Sequence, residues 1–221
     1  MIHVEPAPEP PEFDAMVREP GLRAVAEMVG KKPSTPRAGG QPFQQRAKSE
    51  WDLSSSELPT YWTRCLDALM TAYDEVCAYS CFRIHRVTGA RSVDHFAPRS
   101  RRWDRVYEWA NYRLACSRLN ARKRDFTDIL DPFEVQTGWF RLELVGFQLY
   151  PSPELDADLA TRIQHTCERL GLNDYLHRES RERDAERYWS GGVTLAVLRE
   201  ESPLVAAELT RQGRLRSAKG A

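Results

Sequence analysis

The stretch CAYSCFRIHRVTGARSVDHFAPRSRRWDRVYEWANYRLACSRLNARKRDFTDILDP, residues 77–132, contains most of the unusual chemistry of this chain. At its centre is the run SVDHF, in which a carboxylate, Asp94, directly precedes a histidine, His95. Two asparagines follow, Asn111 and Asn120, and the second opens the basic run NARK. The segment therefore brings a carboxylate, an imidazole, two amides and several cations close together in the sequence.

The flanks of the DH pair predict short strands and a helix. Residues 82–87 and 91–96 are β-prone on either side of the turn signal TG, and residues 112–116 form the next strand. Ser117 is a suitable N-cap for a helix that runs to about Arg124. The central segment is therefore expected to be a small α+β unit.

The DH pair has a particular geometric requirement. Adjacent residues of a strand point to opposite faces, so Asp94 and His95 share one site only where the strand ends or bulges. Pro98 follows shortly afterwards and favours a strand end at this place. The sequence therefore predicts that both side chains lie at the end of a strand.

Helical patterns predominate on both sides of the central unit. Apolar spacing and cap signals predict helices at residues 21–30, 56–73, 153–170, 173–190 and 203–212, and residues 138–150 predict a β-hairpin. The first 19 residues are rich in proline and glutamate, which favours an extended, poorly packed arm.

The chain is accordingly divided into three segments. Residues 1–50 are a proline-rich arm with a short helix, residues 51–150 are the central core, and residues 151–221 are a helical C-terminal extension. The run RESRERDAER within the extension is expected to be a solvated helical face with pairs of opposite charge four residues apart.

Charge is distributed unevenly along the chain. The 32 basic and 32 acidic residues cancel, and 41% hydrophobic residues are enough for a packed core. Between Arg83 and Arg124, however, twelve arginine and lysine residues accompany only three acidic ones, Asp94, Asp104 and Glu108. A basic patch on a neutral protein indicates a localised site for a polyanion.

The five cysteines are expected to be reduced thiols of a cytoplasmic protein. The N-terminal run MIHVEPAPEPPEF has neither the basic nor the apolar region of a secretory signal. No window approaches 18 uninterrupted apolar residues, so no membrane span is expected.

The residue types of the central stretch suit hydrolysis of a phosphodiester. That reaction requires an activated water, a cation opposite the developing charge, and help for the leaving oxygen. Asp94 and Asn120 supply an anionic and a neutral oxygen for one Mg²⁺ or Mn²⁺ ion. His95 is a candidate general base because neutral imidazole is available near pH 7. Arg122 and Lys123, close to Asn120 on the predicted helix, are expected to hold phosphates.

The arginines that follow the DH pair have two interpretations. Arg99, Arg101 and Arg102 either contact a nucleic-acid backbone or belong to a solvated loop. The position directly after the DH pair favours the nucleic-acid contact.

The ordered set VDHFAP, WANYRLAC and SRLNARK resembles the signature of HNH, or ββα-metal, nucleases and covers residues 77–125. The resemblance implies that Asp94 and Asn120 bind the catalytic metal and that His95 is the general base. It further implies that Asn111 completes the catalytic set by bracing the loop, and Lys123 falls on the lysine of the family. The expected fold is α+β, a ββα-metal core with N- and C-terminal helical flanks and a small β-hairpin.

The wider pattern is similar to small HNH nuclease subunits of bacterial anti-phage defence systems of the Septu type, which are paired with an ATPase. The resemblance implies a DNA-cleaving subunit with a protein partner, contacted through the N-terminal arm or the helix at 173–190. Two alternatives stay open: a non-catalytic nucleic-acid-binding or assembly subunit, and a toxin nuclease acting on host DNA or RNA.

Many members of this family hold a structural zinc ion on two C-x-x-C knuckles, and here the knuckles are incomplete. The first corresponds to Cys77 and Cys81, which are four residues apart, and the second keeps Cys116 but has Leu119 in the last position. These three cysteines and His85 are the available zinc ligands. The preferred expectation is a zinc-free core in which the thiols are buried as small hydrophobic groups.

Overall fold

A computed structural model describes residues 1–216 of the chain and shows an α+β fold. The helices of this part are α1 (Glu19–Met28), α2 (Leu66–Ala72), α3 (Ser117–Lys123), α4 (Ala157–Leu170), α5 (Tyr175–Trp189), α6 (Leu195–Glu201) and α7 (Pro203–Arg211). The strands are β1 (Arg91–His95), β2 (Tyr112–Cys116), β3 (Phe140–Leu142) and β4 (Leu149–Pro151). They form two separate two-stranded antiparallel sheets, β1 with β2 and β3 with β4. The predicted α+β class is confirmed.

The central unit consists of the β1–β2 pair and α3, which follows β2 directly. The register places Val93 opposite Leu114 and His95 opposite Tyr112. Leu119 on α3 is fully buried and belongs to the same apolar core as these strand residues. Sheet and helix therefore pack against each other around one set of side chains, and the last residue of β1 is His95.

The start of α3 differs slightly from the prediction. Cys116 is the N-cap residue, with extended backbone angles and no side-chain cap, and Ser117 is the first helical residue. The predicted helix therefore exists, but the predicted N-cap is one residue too late.

Residues 82–87 do not form the predicted strand. Only an isolated bridge joins Arg83 to Val76, and the amide of Arg83 donates to the carbonyl of Glu201, the last residue of α6. Cys81, just before this segment, has a left-handed backbone with φ of 58°. The β-prone side chains therefore lack a neighbouring strand, because the backbone is already paired with a helical segment distant in sequence.

The N-terminal arm is packed, which contradicts the predicted loose arm. Three residues of the arm are at most 1% exposed: Met1, Phe13 and Val17. The indole of Trp109 donates to the carbonyl of Ala7 at 2.8 Å, so the extended backbone is also bonded to the core. The prolines remove amide donors and favour an extended chain, but the few apolar side chains are sufficient to dock it.

The run RESRERDAER lies on α5 and is only partly a solvated face, so this prediction is also corrected. Arg181 is fully buried, and its guanidinium donates to the carbonyls of Phe147 and Leu172 at 3.0 and 2.6 Å. Asp184 is buried as well and accepts a hydrogen bond from Ser202. Backbone carbonyls and a hydroxyl bond to these inward groups, while the Nε of Arg181 has no hydrogen-bond partner within residues 1–216. The sequence pattern alone resembles an exposed helix.

One apolar core extends through all three predicted segments, from Met1 to Leu209. It includes Val25 of the first segment, Leu114 of the second and Leu170 of the third. The flanking helices are therefore part of the framework that holds the central unit. Within residues 1–216, no helix combines the length and apolar character needed to cross a bilayer.

Candidate functional site

A cleft of about 450 Å³ opens where the ends of β1 and α3 meet the loop after His95. Asp94, His95 and Asn120 all line this cleft, together with Arg99 and Arg124. The predicted carboxylate, imidazole and second amide are thus brought together. Because β1 ends at His95, the adjacent residues Asp94 and His95 both border the same cleft.

Asp94 has almost no contact with solvent, at 1% exposure, and its carboxylate is held on two sides. One oxygen accepts from the hydroxyl of Tyr79, and the other lies 3.2 Å from the Nζ of Lys123. Burial raises the pKa of Asp94, while the charge of Lys123 and the bond from Tyr79 act in the opposite direction. The two donors therefore fix the carboxylate rotamer before any ligand binds.

Lys123 is fully buried, which contradicts its predicted contact with phosphate. Besides Asp94, its Nζ donates to the backbone carbonyls of His95 and Phe96 at 2.9 and 3.1 Å. All three contacts are with the end of β1 and the residue that follows. The lysine acts inside the protein, as an internal cation that holds the DH pair against α3.

His95 is buried to 6% exposure and has a defined tautomer. Its Nε2 lies 3.0 Å from the carbonyl oxygen of Val106, and because a carbonyl only accepts, Nε2 carries the proton. The rings of Trp62 and Tyr112 pack edge-on against the imidazole, with centroids 4.9 and 5.1 Å away. Burial, together with the charge of Arg99, lowers the pKa of His95 to about 3. The imidazole is therefore neutral at pH 7, with the lone pair on Nδ1.

Asn111 connects the two ends of the loop that follows β1. Its Oδ1 accepts from the amide of Ala97 at 2.7 Å, and its Nδ2 donates to the carbonyls of Ala97 and Arg105 at 3.1 and 3.0 Å. The side chain is 94% buried, so these bonds are shielded from water. This is the bracing geometry expected for Asn111, and it positions the Val106 carbonyl that orients His95.

Asn120 presents an oxygen to the cleft. Its Nδ2 donates to the hydroxyl of Ser92 and to the carbonyl of Val93, both at 3.1 Å. The bond to a carbonyl identifies the nitrogen and leaves Oδ1 as the outward atom, which makes no hydrogen bond within residues 1–216. Asn120 can therefore act as a neutral oxygen ligand.

The predicted phosphate-binding cations fall into separate places. Arg99 lies at the cleft, where it stacks over Trp62 at 4.7 Å and donates to the carbonyl of Ser55. Arg122 points away from the cleft and pairs with Asp174 near the start of α5. Arg122 is thus not at the predicted site.

The two remaining predicted arginines are exposed beyond the cleft. Arg102 forms a two-bond pair with Asp104 at 2.6 and 2.8 Å, whereas Arg101 has no carboxylate partner in the described part of the chain. Arg124, which follows α3, lines the cleft and likewise has no carboxylate partner among residues 1–216. Arg99 and Arg124 are therefore the cations that border the cleft.

Three residues of the site were not singled out from the sequence. Trp62 and Tyr79 come from segments before β1, and no local pattern links them to the DH pair. Arg124 belongs to the basic run after Asn120, and its position at the end of the predicted helix is the signal that could have identified it.

The cysteines are free thiols, and Cys77, Cys81 and Cys116 do not meet as one ligand set. Among residues 1–216, no group of three or more histidine, cysteine, aspartate or glutamate side chains is arranged to hold a metal ion. His85 lines the same cavity as Cys77 and Cys116 but pairs with Glu201 at 3.2 Å. A site made of the Asp94 carboxylate and the Asn120 amide oxygen is not a group of this kind, because only one of its two ligands belongs to those four residue types.

No model of a known protein family matches this chain, and a search of curated proteins finds no similar one.

Proposed function

We propose that this chain is a metal-dependent HNH endonuclease that hydrolyses phosphodiester bonds of DNA in bacterial anti-phage defence. The observation that carries the proposal is the convergence of Asp94, His95 and Asn120 on one cleft, with Nδ1 of His95 free to accept a proton. The sequence resemblance supports the same assignment, because the cleft is built from two antiparallel strands and the helix that follows them.

The oxygen atoms of the cleft suit a hard divalent cation, Mg²⁺ or Mn²⁺. The carboxylate of Asp94 keeps lone pairs beyond those used by Tyr79 and Lys123. Asn120 adds an amide oxygen, and two protein ligands leave room for water and phosphate oxygens. A divalent ion held there would stabilise the charge that develops on the phosphate and on the leaving oxygen.

His95 is suited to take a proton from the attacking water. The neutral form predominates at pH 7, and the Val106 carbonyl together with the rings of Trp62 and Tyr112 fixes the direction of Nδ1. When Nδ1 accepts the proton, Nε2 continues to donate to the carbonyl, which favours the imidazolium, whereas burial and the charge of Arg99 disfavour it. Asn111 acts indirectly, as a positioning residue for the loop that contains Val106.

Arg99 and Arg124 are proposed to bind the phosphates that flank the scissile bond. Both border the cleft and neither is paired with a carboxylate in the described chain, so their charge is available to a polyanion. Arg101 is proposed as a more distant contact, whereas the ion pairs of Arg102 and Arg122 reduce their availability.

The test is cleavage of supercoiled plasmid by the purified protein with Mg²⁺ or Mn²⁺ and with a chelator. We expect metal-dependent nicking or linearisation, and losses of at least about 100-fold for His95→Ala, in line with removal of a general base. Asp94→Asn and Asn120→Ala are expected to require higher metal concentrations. His85→Ala is the matched control, because His85 is exposed and lies outside the cleft.

The competing functions give distinct results in the same assay. Binding to DNA without cleavage, equal in wild type and His95→Ala with and without a partner, would establish a non-catalytic subunit. Growth arrest on expression, relieved by His95→Ala, together with cleavage of RNA or host DNA would establish a toxin nuclease.

A cytoplasmic location is proposed on the five cysteines and the N-terminal composition, and a partner ATPase on the resemblance to Septu-type subunits. The exposed side chains of Tyr175 and Leu176 at the start of α5 are the proposed contact, because they are 70% and 47% accessible. The packed N-terminal arm offers less free surface than its sequence indicated.

A further inference from the structure

Cys77 and Cys116 lie against each other on the side of the central unit away from the candidate site. The amide of Cys116 donates to the sulfur of Cys77 at 3.4 Å. The adjacent backbones are joined by a bond from the amide of Ala78 to the carbonyl of Leu114 at 2.8 Å. The backbone of Cys116 is therefore held against the sulfur of Cys77.

The pair differs from the other three thiols in the exposure of Cys116 and in the hydrogen-bond donors around Cys77. Both members line a cavity of about 380 Å³. Cys116 is partly exposed, whereas Cys77 is buried, as Cys65, Cys81 and Cys167 are. Burial favours the protonated form of Cys77, but hydrogen bonds from Cys116 and Ser80 outweigh it and lower the pKa of Cys77 to about 6. The same bond, together with burial, raises the pKa of Cys116.

We propose that Cys77 and Cys116 form a reversible disulfide when the protein meets a peroxide. The thiolate of Cys77 attacks the peroxide, the O–O bond breaks, and one oxygen stays on this sulfur while the other leaves and is protonated to water. The sulfur of Cys116 then displaces that oxygen as a second water, with loss of the thiol proton. The two thiols together lose two electrons, and hydrogen peroxide is reduced to two waters.

The location of the pair gives the bond a structural consequence. Cys116 is the N-cap of α3, and Cys77 is two residues before Tyr79, which bonds to Asp94. The disulfide would tie the start of α3 to the segment that supports Asp94 and would close a loop containing the whole DH segment. A cross-link of this kind stabilises by restricting the unfolded chain.

The experiment treats the full-length reduced protein with hydrogen peroxide, then alkylates, digests and maps it by mass spectrometry without reductant. The expected result is one linked pair of peptides containing Cys77 and Cys116, so that three of the five thiols remain free. Dithiothreitol should restore all five. The oxidised protein should also unfold at a higher temperature than the reduced protein.

Two variants make the outcome specific. Cys116→Ser, at the partly exposed position, should abolish the link and the shift in unfolding temperature, whereas Cys65→Ser should leave both intact. Five alkylated thiols after peroxide, a link through Cys65, Cys81 or Cys167 in folded wild type, or disulfide-linked dimers would each overturn the proposal. Mapping of wild type alone decides these outcomes, so the result does not depend on the folding of either variant or on nuclease activity.

Discussion

Lys123 shows how a single buried charge can support a site without facing it. Its ammonium has no exposed surface and contacts one carboxylate oxygen of Asp94 and two carbonyls at the end of β1. A buried ion pair contributes little net stability compared with an apolar pair, but removal of one member leaves the other charge without compensation. Removal of Lys123 alone, with Asp94 still present, should therefore strongly lower the stability of the fold.

Replacing Lys123 with methionine is expected to lower the free energy of unfolding by about 3–5 kcal/mol, because the carboxylate of Asp94 stays buried without its cation. Urea unfolding of the variant and of wild type measures the difference. The matched control is Arg101→Met, an exposed arginine without a carboxylate partner in the described chain, for which a change within about 0.5 kcal/mol is expected. Equal effects of the two substitutions would contradict the assigned role.

Asn111 and Asn173 allow a second comparison at the residue scale. Each asparagine accepts from and donates to the backbone of one residue, Ala97 in the first case and Leu149 in the second. Asn111→Ala is expected to accelerate hydrogen exchange at Ala97 and to cost about 1–3 kcal/mol of stability through unsatisfied buried groups. Hydrogen exchange with mass spectrometry measures both sites.

The control for that experiment is Asn173→Ala, which removes the corresponding two hydrogen bonds to the backbone of Leu149 in β4. It should accelerate exchange at Leu149 and leave Ala97 and plasmid cleavage unchanged. If Asn111→Ala left the loop after His95 as protected as in wild type, the bracing role of Asn111 would be wrong.

At the scale of elements, residue type predicts some helix ends correctly, whereas α2 begins at Leu66, ten residues after its predicted start at residue 56. Gly171 ends α4 with a left-handed backbone at φ of 62°, and Pro203 begins α7, as their residue types indicate. The strand predicted at residues 82–87 is wrong, because a strand needs a neighbouring strand and this fold places none beside these residues. The separate helix α6 was not predicted, although Thr194 is its N-cap and accepts from the amide of Val197.

Prediction of the site was limited because the sequence does not show in which direction each basic side chain at the end of α3 points. Arg122, Lys123 and Arg124 are consecutive, yet they point in three directions. Arg122 and Lys123 are about 100° apart around α3, and Arg124, the C-cap, leaves the helical conformation with a φ of 49°. One pairs with Asp174, one is buried against Asp94, and the last borders the cleft. Sequence alone identified a basic run after Asn120, but the direction of each side chain depends on what packs beside α3.

The junction of α4 and α5 gives a prediction for pH. Nδ1 of His177 lies 2.8 Å from the carbonyl of Gly171, and burial, aided by the charge of Arg181, lowers the pKa of His177 to about 4. Below about pH 6.5 the unfolded chain binds a proton that the folded chain excludes, so stability is complete above pH 6.5 and declines toward pH 4. His95 shifts in the same direction.

The free energy of unfolding is therefore expected to fall between pH 6.5 and pH 5 by up to about 1.4 kcal/mol per pH unit for each of the two histidines. Urea titrations at several pH values measure the slope. His177→Asn keeps a donor near Gly171 and removes the titration, so the slope should become shallower. A slope equal to that of wild type would show that His177 does not titrate as assigned.

At the scale of the whole molecule, the N-terminal arm is connected to the candidate site through aromatic contacts. The ring of Phe13 packs edge-on against Trp109 and Tyr112, with centroids 5.6 and 5.7 Å away. Tyr112 in turn packs against His95 and donates to the same Val106 carbonyl that orients the imidazole. The segment whose composition indicated a loose arm thus forms one wall behind the DH pair.

Phe13→Ala is expected to lower the free energy of unfolding by about 3–5 kcal/mol, because it leaves a cavity in a core position that is 99% buried. If folded protein remains, Tyr112 gains space to move, so the loss of plasmid cleavage should exceed the fraction unfolded. Phe43→Ala is the matched control, since Phe43 is only half-buried and contacts the side chain of Arg37. Cleavage per folded molecule that is equal in Phe13→Ala and wild type would show that the arm supports the core without supporting the site.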